Sequence, residues 1–102
     1  METQFSNEQL AMIIDEATIY MCACPAQVAE QIMRLRELVR YQQECDAETD
    51  NDSVVHKAIA TSGFEALAIL ENCLDHVLDL EGWDRATLKM PEGLRQRRDQ
   101  SL

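Results

Sequence analysis

An all-α fold, an up-down bundle of three main helices completed by dimerisation, follows from three features of this sequence. The first is Ser53 to Glu81, where Val55, Ile59, Ala66, Ile69, Leu70, Cys73, Val77 and Leu80 recur at helical spacing as one apolar stripe. The second is a neighbouring set, Phe64, Leu67, Leu74 and Leu78, turned roughly 100° further round the same helix. A helix apolar over about half its circumference must be covered on two sides, so it is expected at the centre of the fold or between two subunits. The third feature is composition. Only 3 Gly and 2 Pro interrupt 102 residues, and 5% aromatic content leaves Leu, Ile, Val, Ala and Met to build the core.

The first helix is expected over about 7–21. Ser6 precedes it and Gln9 follows three residues later, a capping-box pair. Leu10, Ile13, Ile14, Ala17 and Met21 share one face, while Met12 and Ile19 fall opposite and suggest a second contact surface. The second helix, about 25–45, opens at Cys24-Pro25. Proline suits the first helical position because its missing N–H has no intrahelical partner there. Val28, Ile32, Leu35 and Val39 form the buried stripe, with Leu38 beside it, and Glu30–Arg34 is a favourably ordered i,i+4 pair on the other side.

Asp46 to Asp52 reads as an acidic connection of ordinary length. It lacks the in-register glycine and closing glutamate of a calcium loop, so it is expected to be solvated. The third helix spans about 53–81, with Gly82 as its stop. Ser62 and Glu65 repeat the capping-box pattern next to Gly63, but the stripe keeps its phase across the glycine, so one continuous helix is expected. Trp83, Leu88 and Leu94, around Pro91-Glu92-Gly93, suggest a closing turn and a short C-terminal helix. Residues 1–83 then form the bundle domain and 84–102 a basic extension.

Charge narrows the partners. There are 9 basic and 19 acidic residues, a net of −10. Arg85, Lys89, Arg95, Arg97 and Arg98 outnumber Asp84, Glu92 and Asp99 in the extension, so the bundle is more acidic still. An acidic body repels phosphate backbones and anionic membrane surfaces, which argues against nucleic-acid and membrane partners. Pro25 to Ile32, followed by Arg34, Arg36 and Arg40, has the rhythm of a DNA-reading helix, but the second helix is too long for that motif. No stretch approaches the ~20 apolar residues of a membrane span, and Met1 to Asn7 lacks a basic leader region. A cytoplasmic location is expected, with the 4 cysteines as thiols or metal ligands rather than disulfides.

Chemistry-bearing residues are few. If the helices run up, down and up, Cys22, Cys24, Cys73 and His76 meet at one end of the bundle, a ligand set suited to zinc. The plainer reading is that Cys73, within the apolar stripe, is a small core hydrophobe. Cys24 at a helix start is a candidate reactive thiolate, with Cys22 as its resolving partner. The acids Glu71, Asp75 and Asp79 share one helix face and read as solvated; no Glu-x-x-His pair accompanies them to make a di-iron site. No phosphate-binding glycine loop and no catalytic triad pattern are present.

The expected function is therefore that of a non-catalytic interaction or regulatory module acting as a homodimer, with no cofactor. Phe64, Leu67, Leu74 and Leu78, supported by Met12 and Ile19, are the expected dimer or partner surface. The alternative is a zinc-binding or thiol-based redox protein using Cys22, Cys24, Cys73 and His76.

Overall fold

A computed structural model describes residues 3–18 and 24–91 in full, together with the backbone of Ile19 and Ala23. It contains α1 (Asn7–Ile19), α2 (Ala23–Glu44) and α3 (Asp50–Glu81), and no β-strand among the described residues. The all-α expectation holds. α3 is one unbroken helix of 32 residues, about 48 Å long.

Local chemistry sets the ends of these helices. Ser6 Oγ accepts from Gln9 N at 3.0 Å, and Gln9 Oε1 accepts from Ser6 N at 2.8 Å, closing the capping box of α1. α2 begins at Ala23, so Pro25 falls within its first turn, where no intrahelical N–H bond is forfeited. α3 starts three residues earlier than expected. Thr49 is extended, and its hydroxyl accepts from Asp52 N at 3.1 Å, while Asp50 and Asp52 place negative charge at the positive end of the helix dipole. At the other end Gly82 adopts φ 74°. Its N–H reaches Asp79 O at 3.1 Å, and Trp83 N reaches Leu78 O at 3.0 Å, a Schellman closure with buried Trp83 against buried Leu78.

The centre of the fold is α2, not α3. α2 packs against α1 on one side and α3 on the other. Leu10, Ile13 and Ala17 from α1, Ala29, Ile32 and Val39 from α2, and Leu67, Leu74 and Leu78 from α3 form one buried cluster. Gly63 determines which face of α3 is used. A Cβ at that position would lie 2.6 Å from Val39 Cγ2, so only glycine lets the two helices approach so closely. Phe64, expected on a partner surface, is half-buried against this cluster, and Leu67, Leu74 and Leu78 are no more than 1% exposed. α2 itself covers the face on which those leucines lie, and they are core.

Two buried acids tie the outer segments down. Glu71, expected to be solvated, is buried and accepts from Arg36 Nη2 at 2.6 Å; Arg36 also donates to Phe5 O and to Asn7 Oδ1, each at 2.6 Å. One guanidinium thus joins the N-terminal segment, α2 and α3. Buried Glu16 accepts from Met90 N at 2.7 Å and holds the segment after α3 against α1. That segment, 83–91, forms a closing turn, as expected. Asp84 N donates to Lys89 O, and Asp84 Oδ1 accepts from Ala86 N and Thr87 N. Leu88 holds a positive φ of 57°, a conformation kept by the burial of its side chain. The remainder of the expected C-terminal helix lies outside the described residues.

Candidate interaction surface

The packing of α2 on one face of α3 leaves the other apolar face open. Ile69 is 68% exposed, Leu80 71% and Val55 44%. Ile59, Ala66, Leu70 and Val77 are half-exposed, and Cys73 is exposed. The stripe that reads as the core-forming one in the sequence is therefore the solvent face, and the set that reads as the partner surface is the core. At 100° per residue the two centres differ by about a quarter turn, which periodicity alone does not rank.

The spacing along the open face is more regular than an ordinary apolar stripe. Val55, Ile59, Ser62, Ala66, Ile69, Cys73, His76 and Leu80 follow one another at alternating steps of four and three. That is a heptad seam more than three heptads long, about 38 Å, interrupted only by Ser62 and His76. Beside its first half runs a groove of about 420 Å³ between α2 and α3, floored by small residues, Ala58, Ser62, Gly63 and Ala66, and walled by Leu35, Leu38 and Ile59. The second half of the seam is built from larger residues, Ile69, Cys73, His76 and Leu80, and carries the most exposed large side chains, Ile69 and Leu80. Met12, on α1, is 46% exposed, whereas the side chain of Ile19 lies outside the described residues.

Among the described residues no group of three or more His, Cys, Asp or Glu side chains is placed to hold a metal ion, and Cys22 lies outside them. Two aspects of the packing keep Cys24, Cys73 and His76 apart. Counting fifteen residues back from Val39 to Cys24, and as many forward from Gly63, brings Cys24 level with Leu78, about 7 Å beyond Cys73 along the axis. Cys73 is also turned about 100° from core residue Leu74, and His76 about 200°, so both point away from α2. Both are exposed.

A larger cleft, about 580 Å³, lies between the N-terminal segment and α2, lined by Phe5, Asn7, Met33, Arg36 and Phe64 among others. Its guanidinium is engaged by Phe5, Asn7 and Glu71 through Nη1 and Nη2, while the buried Nε has no hydrogen-bond partner among the described residues. Near the end of α3, Arg85 pairs with Asp75 and with Asp79 (3.1 Å) and sits 5.6 Å from the centre of the Phe5 ring. The hydrogen bond to Asp75 raises the Arg85 pKa against the opposing effect of burial, and the group stays a fixed cation.

Residues that sequence reasoning missed are Leu38, Tyr41 and Ser62, which border or line the open face. Leu38 is 40% exposed and Tyr41 65%. The alternating four-and-three spacing was the signal for Ser62; Gly63, a glycine in the middle of a long helix, was the signal for which face meets α2.

Together these features define an all-α protein with a heptad-spaced helix face left open by the described residues. Comparison with protein-family models, curated proteins and solved structures found no match.

Proposed function

We propose that this protein is a non-catalytic interaction module that acts as a homodimer through the open face of α3. The observation that carries the reading is the exposure of Ile69, Leu80 and Val55 at heptad positions on a single helix. Apolar heptads sustained over this length suit pairing with another helix. A strip about 38 Å long and ~20 Å wide, taking in α3 and the adjoining edge of α2, amounts to roughly 760 Å², close to the ~800 Å² per partner of a standard interface. The chain's own C-terminal residues are a poor cover, since 92–102 contain Leu94 and Leu102 as their large apolar residues and are otherwise mostly polar.

Lipid is the competing occupant. Among the described residues α3 is long and apolar enough, by length and composition, to cross a membrane. Its most apolar stretch would carry Lys57 and Glu65 with it, however, with Glu71 next to it, and each charge near a bilayer centre costs about 3 kcal/mol. Glu71 already has its partner in Arg36 within the folded chain.

Light scattering coupled to size exclusion at tens of micromolar tests the proposal. The expected mass is twice the 11.6 kDa of one chain. Ile69→Asp with Leu80→Asp is expected to give a monomer with unchanged helical circular dichroism. A monomeric parent protein overturns the reading, as does a monomer that co-floats with phosphatidylcholine vesicles.

A further inference from the structure

The open face is asymmetric along its length, and this asymmetry specifies how two copies meet. We infer that the homodimer is antiparallel, with the second half of each α3 seated against the grooved first half of the other; this rests on the dimeric reading above. In the register centred between Ala66 and Ile69, Ala66 faces the partner's Ile69 and Ser62 faces the partner's Cys73. Ile59 then faces the partner's His76, and Val55 the partner's Leu80. Seam positions of the two helices alternate correctly in this arrangement.

Shape and charge both favour it. The groove floor of Ala58, Ser62, Gly63 and Ala66 is a row of holes, and Ile69, Leu70 and Val77 in the other half are the knobs that fit it. A parallel pair would set groove against groove and leave Ile69 and Leu80 to meet their own copies. Charge differs between the ends as well. Asp46, Glu48, Asp50 and Asp52 surround the start of α3 with no cation among them, whereas at its end Arg85 is paired with Asp75 and Asp79 and Lys89 with Glu16. Antiparallel pairing keeps the two acidic starts apart; parallel pairing stacks four carboxylates on four. Opposed helix dipoles add in the same direction.

The native Cys73 makes orientation readable in the full-length chain. With Cys22, Cys24 and Cys45 replaced by Ser, an antiparallel dimer places the two Cys73 sulfurs about 16 Å apart along the axis, and a parallel one places them side by side. Adding Ser62→Cys, an exposed and nearly isosteric change, brings the new thiol opposite the partner's Cys73. A short bismaleimide is expected to trap covalent dimer from the Ser62→Cys protein, about tenfold more than from the protein with Cys73 alone, because only that pair shares a layer. A second pair at exposed positions, Val55→Cys with Leu80→Cys in a Cys73→Ser chain, is expected to behave likewise. Efficient linkage through Cys73 alone overturns the antiparallel arrangement, as does a dimer that neither engineered pair links. Light scattering on the same samples separates these outcomes from a monomer, which would instead remove the dimer itself.

Discussion

The two apolar faces of α3 differ little in composition and greatly in environment. Leu67, Leu74 and Leu78 are sealed by α2, whereas Val55, Ile69 and Leu80, on the same helix, stand in solvent. The difference teaches that hydrophobicity specifies how much of a helix must be covered, while the neighbour's shape specifies which part is covered within the chain. Gly63 and Val39 make that choice here by closing the distance on one side.

The comparison is broken most severely by removing a methyl-rich side chain from the sealed face. In a Leu80→Asp background, at a concentration where light scattering reads a monomer, Leu74→Ala is expected to cost about 4 kcal/mol of urea-unfolding free energy, through lost burial and a residual cavity. Ile69→Ala in the same background is expected to change stability by less than about 0.5 kcal/mol, since it vacates solvent-exposed surface. Equal costs would mean that the two faces are equally buried.

Next in size is the buried ion pair that holds the sealed face in register. Arg36→Met leaves Glu71, Phe5 O and the Asn7 side chain without their donor, and about 3 kcal/mol of stability is expected to go with it. Adding Glu71→Leu removes the stranded charge, so the double variant is expected to recover most of the loss. Failure to recover in thermal melts would show that the pair does more than neutralise itself.

The smallest effect belongs to the closing turn that borders the open face. Hydrogen bonds from the Thr87 and Ala86 amides hold the Asp84 carboxyl below its ordinary value of 3.8. A carboxyl whose folded pKa is depressed contributes stability above its unfolded pKa and loses it as pH falls through the folded one. The Ala86 and Thr87 amide resonances are therefore expected to move together as pH drops below about 3.8, and Asp84→Asn is expected to remove that titration. Movement centred well above that pH would contradict the turn geometry.

Much of the architecture was legible in residue order. The Ser6–Gln9 capping box and the Gly82 stop appear in the structure as read, and the apolar phase carried across Gly63 does mark one helix. The start of α3 was misplaced because Asp50 and Asp52 read as loop acids, although acids are equally at home in a helix's first turn beneath a threonine cap. Glu71 read as solvated because its partner, Arg36, lies 35 residues away and on another helix. Axial height is legible in residue order, but rotation about the helix axis, which turns Cys73 and His76 away from α2, is not.

By itself the sequence determined that this chain is helical, where α1 begins and α3 ends, and that α3 carries more apolar surface than one neighbour can cover. Those properties reside in spacing, propensity and capping within a few turns of chain. Tertiary structure alone decided that α2 takes the centre, that Leu67, Leu74 and Leu78 are inside, and that Val55, Ile69 and Leu80 are outside. Two stripes of similar hydrophobicity bury with similar free energy, so the choice between them rests on fit: glycine against valine at one crossing, and one guanidinium reaching three segments at another.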